Sequence, residues 1–266
     1  MAIAIGSAIN LVLTLLWAAR WKLGLSALGI RAPYSKVLVA IVSSFPIGNF
    51  LPAGKAAQEA FRMAYLDIDY SRRSAVMAAT MMEWGMESLV IFALIMVVVI
   101  RHFFAAGALA AAVMYGVQPP ALSDRLRGFV ADLADSLRQL ARRPKVMLSY
   151  AAISASIIVL DMFKVWVLAL YSEVALALLD LITVYVVMRV ASISPMPAGL
   201  GFLDLGLLAT LKIMGYGVTS ILVFIALLRV VDTVIPSLVG LGVLVSSGTF
   251  RVLRQARHGV AGRWRL

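Results

Sequence analysis

The chain has 266 residues, 62% of them apolar and only 14% charged, with a formal net charge of +11, a mean hydropathy of +0.97 and no cysteine. A soluble globular chain sits nearer half apolar with about a quarter of its residues charged, so a soluble domain is excluded. The missing cysteine excludes disulfides, thiolate metal sites and a cysteine nucleophile, and basic residues that flank apolar blocks are not the footprint of a nucleic-acid binder.

The apolar residues fall in blocks 2–19, 37–51, 74–100, 103–118, 146–171, 174–190 and 218–247. A spanning helix needs roughly 20 apolar residues to cross about 30 Å of hydrocarbon. Block 2–19 has no basic leader and runs into Arg20-Trp21-Lys22, so it reads as a retained span rather than a cleaved signal. Most of the 24 basic residues lie in four segments: around 20–36, around 55–73, in the loop 125–145, and in the tail from Arg251 to Arg265. Lys and Arg collect on the cytoplasmic side. All four segments are therefore expected in the cytoplasm, the C-terminus with them and the N-terminus outside.

That placement sets the topology. Block 37–51 has basic segments on both flanks, so it enters and turns back. Pro46, Gly48, Asn49, Pro52 and Gly54 supply the break, and 55–66 the returning arm. Block 74–100 crosses outward to Arg101-His102, 103–118 returns, and 146–171 crosses outward again. Because 218–247 is the last crossing, 174–190 and 202–214 form a second hairpin around the breaker 192–201, from the opposite face. The expected fold is an all-α polytopic protein with a single membrane domain. Two inverted repeats of span, broken re-entrant hairpin and span (2–100 and 146–247) are joined by a connector span and basic loop, 101–145, and followed by the basic tail 248–266. The basic amphipathic stretch 122–143 is expected on the inner leaflet. Irregular backbone at membrane depth is tolerated only where protein or a watery cavity satisfies it, so two breaks imply a cavity.

Charged residues inside the blocks are expected to face that cavity or a partner. Glu83 and Glu87 share one helix face without a cation on their own helix, and serve as counter-charge to a substrate or a buried Arg, or as a proton path with Asp232. Asp161–Lys164 and Arg229–Asp232 have the i,i+3 spacing of ion pairs within one helix. Lys55, Glu59 and Arg62 form one stripe on the returning arm of the first hairpin, whose helix N-terminus favours an anion such as a phosphate head group; the plainer reading is an amphipathic arm on acidic lipid. Gly199 and Gly201 open the second returning helix, with Asp204 in its first turn. Gly54-Lys55 is not a phosphate loop, because the glycine spacing is wrong and Ala56 replaces the Ser or Thr. The sequence offers no catalytic constellation, and neither a metal nor another cofactor is expected.

At this point the residues show a resemblance. Ala19-Arg20-Trp21, then Asn49-Phe50-Leu51-Pro52 with Glu59-Ala60-Phe61-Arg62, then Pro197-Ala198-Gly199-Leu200-Gly201-Phe202-Leu203-Asp204, and finally Arg229 with Pro236 and Gly240 resemble, in order, motifs of the lysylphosphatidylglycerol synthase transmembrane, or flippase-like, family. Asp204 stands where that family usually has Glu, and the chain is expected to begin one span late. The resemblance implies movement of an anionic or aminoacylated phospholipid, or a related lipid, between leaflets of the inner cell membrane. The namesakes' synthase activity lies in a separate soluble domain, so aminoacyl transfer is not expected. The head group is expected between the two hairpin tips, meeting Asn49, Pro52, Lys55, Glu59, Arg62, Gly199, Gly201, Asp204 and Arg229. The expected partners are a membrane lipid (an anionic phospholipid or a lipid-linked sugar) and the bilayer, with a second copy or a separate enzyme as further possibilities and no nucleic acid. Two rivals remain: a membrane glycosyltransferase or its accessory subunit, with Asp67 and Asp69 as its acidic pair, and a secondary transporter of a small anion.

Overall fold

The structure is a computed structural model that describes residues 1–51, 54–66, 72–106, 135, 138, 142–192, 199 and 201–247. These residues form helices: α1 (Ala2–Ala27), α2 (Tyr34–Phe50), α3 (Gly54–Tyr65), α4 (Arg73–Ala106), α5 (Pro144–Tyr171), α6 (Leu178–Ala191), α7 (Phe202–Ile213), α8 (Val218–Arg229) and α9 (Ile235–Ser246). A single π-helical turn, Val230–Val234, joins α8 to α9. Among the described residues, four helices are long and apolar enough to cross a membrane: α1, Ser74–Val99 within α4, α5, and the continuous rod Val218–Ser246. They carry many exposed large apolar side chains, among them Leu89 and Phe92 on α4, Val159 and Phe163 on α5, and Leu222 and Leu238 on the last rod. Such a surface suits acyl chains rather than water.

Between the spans sit two helix pairs. α2 and α3 pack on each other, as do α6 and α7. The first turn falls later than the sequence suggests. Pro46 and Gly48 lie inside α2, and the helix ends only at Phe50. Proline costs a helix its bond to the carbonyl four residues back, here that of Val42. This carbonyl instead lies against Gly240 of α9, where an added Cβ would overlap it and would come within 2.6 Å of Pro46 Cδ. The proline is thus absorbed in a close α2–α9 contact and does not break the helix. The reversal itself is tight, because Gly54 packs directly on the Gly48 carbonyl, with no room for a Cβ. Pro52 lies outside the described residues, as does the side chain of Lys55.

α4 also departs from expectation. Its helix does not stop at Arg101-His102 but continues to Ala106, a length of about 50 Å at 1.5 Å per residue. The returning segment expected to begin at residue 103 therefore does not start there, and 107–118 lie outside the described residues.

Among the described residues, apolar packing makes three cores. Trp21, Leu25, Val37, Ile41, Val76 and Ala79 join α1, α2 and α4. Leu168, Val184, Tyr185, Leu207, Phe224 and Leu228 join α5 to α8. Ile9, Leu13 and Ile157 clamp α1 to α5 across the middle. The first pair is also held to the second half through α2 on α9, and the second pair to the first half through α6 on α4. What these cores leave between them is polar.

A charged cavity between the spans

A cavity of about 330 Å³ opens between α1, α2, α3, α4, α5, α6 and the π turn. Its described lining includes four cations, Arg20, Arg62, Lys164 and Arg189, and five carboxylates, Glu59, Glu83, Glu87, Asp161 and Asp232. Trp17, Phe45 and Trp84 supply aromatic walls. The charges are tied into three clusters.

The first cluster joins α1, α4 and α5. Arg20 Nη2 donates to Glu87 Oε1 at 2.7 Å, Nε to Glu83 Oε1 at 3.3 Å, and Nη1 to Ser154 Oγ at 3.2 Å. Arg20 was expected as a cytoplasmic flanking charge. It is 3% exposed instead, because α1 continues nearly two turns beyond it to Ala27. Glu83 and Glu87 thus do face a buried Arg.

The second cluster lies between the first helix pair and α4. Arg62 Nη1 donates to Glu59 Oε1 at 2.8 Å, and Arg62 Nε and Gln58 Nε2 both donate to Ser44 Oγ of α2. Thr80 of α4 donates to the other Glu59 oxygen at 3.2 Å. The Arg62 guanidinium also lies over the ring of buried Trp21, 5.7 Å from its centroid. The stripe of α3 that carries Glu59 and Arg62 is therefore turned inward, and both residues are buried.

The third cluster centres on Lys164 of α5, whose ammonium reaches Asp161 at 2.7 Å, Asp232 of the π turn at 2.6 Å and Asn10 Oδ1 of α1 at 3.3 Å. Asn10 Nδ2 donates to Asp232 Oδ1 and to the Val231 carbonyl. Arg189 of α6 donates to Asp161 and to Tyr185 Oη. The i,i+3 pair Asp161–Lys164 is present, but it is the middle of a network joining four elements. The pair Arg229–Asp232 is replaced by contacts across the fold. The π turn between the two residues carries Asp232 to Lys164, whereas Arg229 Nε and Nη2 hold the two Asp204 oxygens at 2.8 and 2.9 Å.

Arg229 and Asp204 make a separate station at the start of α7. Asp204 Oδ2 also accepts the Gly201 N–H at 3.1 Å, and Arg229 Nη2 donates to the Gly199 carbonyl at 3.3 Å. Gly201 has φ +82, a conformation that only glycine adopts without strain, so the turn into α7 depends on it.

Of the residues expected to form the site, Asn49, Glu59, Arg62, Glu83, Glu87 and Asp232 line the cavity. Gly199, Gly201, Asp204 and Arg229 are joined to one another and are absent from that lining. Asn49, in the last turn of α2, donates to Ser237 Oγ of α9 at 2.8 Å. Asp161, Lys164 and Arg189, expected as intramembrane charges to face a cavity or a partner, line it too, and Asn10, Arg20 and Gln58 belong to it without having been expected there. The signal for Asn10 was present: it is a single amide in an otherwise apolar span. Arg20 lay hidden because a basic residue at the end of an 18-residue block looks like an interface charge.

A family model describing the lysylphosphatidylglycerol synthase transmembrane region matches residues 1–240. No curated protein and no solved structure gives a significant match.

Proposed function

We propose, for a chain that belongs to the lysylphosphatidylglycerol synthase transmembrane family, that it moves the head group of an anionic or aminoacylated phospholipid, or of a related lipid, between the leaflets of the inner cell membrane. The observation that carries this reading is a cavity with nine charged side chains, set among helices that carry many exposed large apolar side chains. A charge at the bilayer centre costs roughly 2.5–3.5 kcal/mol on insertion scales, and keeping nine of them is hard to explain by packing alone. The cavity's 330 Å³ matches the small end of ligand pockets and holds the volume of about ten waters. That is room for a polar head but not for acyl chains, which would stay in the bilayer. In this reading the helix pairs α2–α3 and α6–α7 are re-entrant, the halves are inverted repeats, the C-terminus is cytoplasmic, and access alternates as the pairs move against the spans. Arg62 and Arg20 meet the anionic head, Asn49 with Ser237 closes one side, and Asp204 with Arg229 latches the second pair.

The test is reconstitution into liposomes carrying fluorescent phosphatidylglycerol, followed by dithionite quenching of the outer leaflet. Quenching beyond the outer-leaflet fraction, lost in Arg62→Ala, is the expected result. Quenching equal to that of empty liposomes would contradict the reading for this lipid, and identification of lipids that co-purify with the protein would then decide among other head groups.

A further inference from the structure

We propose that Glu83 and Glu87 together hold one exchangeable proton, and that an anionic head group occupies the cavity together with that proton. The coupling rests on the head-group reading above; the proton site does not.

The basis is a local mismatch of charge. Glu59 of α3 is balanced by Arg62. Asp161 of α5 and Asp232 of the π turn are balanced by Lys164 and by Arg189 of α6. Arg189 also lies within electrostatic reach of Glu87, but its guanidinium is committed to Asp161 and Tyr185; Arg62 and Glu59 both lie within electrostatic reach of Glu83, where they offset each other as a pair. This leaves Arg20 facing two carboxylates. One guanidinium has donors enough for both, but its charge offsets only one. A buried carboxylate without a counter-charge takes up a proton rather than remain ionised, and two carboxylates on one cation titrate as a pair.

A second group points to the same place. Tyr150 of α5 is fully buried, and its hydroxyl has no hydrogen-bond partner among the described residues. It lies against Gly24, one turn beyond Arg20 on α1, and within electrostatic reach of Glu83 and Arg20. Ser154, one turn along α5, already binds Arg20. A buried hydroxyl without a partner beside a carboxylate pair is suited to carry a proton or to hold the water that carries it. The route is graded. Both line the cavity, and with the Glu87 side chain 23% exposed and that of Glu83 6%, Glu87 is the more open of the two.

The linkage follows from the sum of charges. With every group ionised, the described lining is one negative charge in excess, which opposes an arriving anion; one proton makes it neutral. Protonation therefore favours the anion, and the anion favours protonation by the same factor. With one linked proton, affinity rises by up to about tenfold for each pH unit of acidification, over the range in which the empty pair is ionised and the occupied pair is protonated.

The test uses the full chain in nanodiscs. Infrared spectra in water and deuterium oxide are expected to show a protonated carboxylic-acid band at neutral pH. The band should weaken in both Glu83→Gln and Glu87→Gln, and should grow when short-chain phosphatidylglycerol is added. Titration with the same lipid should give an affinity that rises with acidification in the unaltered chain and is flat in Glu87→Gln. Each Gln variant leaves Arg20 one carboxylate, so the fold is retained, and either variant alone suffices. A band that both variants leave unchanged, or no band with and without lipid, overturns the proton site. A band that behaves as expected beside a pH-independent affinity overturns the coupling. If the liposomes show no lipid movement at any pH, the head-group reading fails, and the infrared band alone then decides the proton site.

Discussion

Arg20 of α1 and Glu87 of α4 meet at 2.7 Å, although 67 residues separate them and each lies in a predominantly apolar span. Removing one partner of a buried pair leaves the other charge uncompensated, which costs about 3–5 kcal/mol. Arg20→Ala should therefore lower the thermal stability of the purified protein sharply, because two carboxylates lose their cation. The double variant Arg20→Ala with Glu87→Ala should be less destabilised than the sum of the single variants, as coupled partners require. Additive losses measured by thermal unfolding in detergent would show that the contact carries no coupling.

Lys164 gives a comparable expectation in the second half. It alone joins Asp161, Asp232 and Asn10. Lys164→Met keeps most of the apolar stem but strands Asp232, so a loss of about 3–5 kcal/mol is expected. Restoring neutrality with Asp232→Asn in the same chain should recover part of it, read as a rise in melting temperature over the single variant.

The α2–α9 contact depends on the absence of a side chain. At Gly240 a Cβ would meet the Val42 carbonyl and Pro46 Cδ, whereas at Gly85 of α4 nothing lies within 4 Å. Gly240→Ala should cost about 1–3 kcal/mol, the usual range for overpacking, and Gly85→Ala should be neutral or slightly stabilising. Equal melting temperatures for the two variants would contradict this account of the packing.

The Asp204–Arg229 pair is a different case. Two parallel bonds at 2.8 and 2.9 Å make it a fork, but the Asp204 side chain is about one third exposed, so its contribution to stability is about 1 kcal/mol or less. Asp204→Asn should leave the melting temperature nearly unchanged and slow lipid movement, since Asp204 holds both Arg229 and the Gly201 amide at the turn of the second helix pair. A large loss of stability with normal movement would reverse that assignment.

Much of this architecture was legible in the sequence, because spans and breaks are written in local composition. Four of the five crossings read from the apolar blocks, 2–19, 74–100, 146–171 and 218–247, correspond to helices long enough to span. The connector 103–118 lies mostly outside the described residues, and the breaker 192–201 falls between α6 and α7. Two features were harder to see. Pro46 reads as part of the first break, since a proline weakens a helix; in the fold it packs against Gly240, nearly 200 residues away, and no local pattern reveals that. Arg20 was assigned to the cytoplasm by a rule that counts basic residues without knowing which have buried partners. Likewise, the i,i+3 spacing of Arg229 and Asp232 suggested a pair, but the π turn between them sends the two side chains to different helices. Composition placed the charges in the membrane; only the packing shows which charges meet.

The central claim is that the cavity is the path of the lipid head group, and the chain's lack of cysteine allows a direct test. Ser192 lines the cavity beside Arg189, and Ser192→Cys exchanges one oxygen for sulfur. The variant should be labelled with a bulky, charged methanethiosulfonate, reconstituted with fluorescent phosphatidylglycerol, and followed by dithionite quenching before and after the label is removed with a thiol. The account predicts that the labelled protein moves no lipid and that removing the label restores movement. Undiminished movement after complete labelling would contradict it.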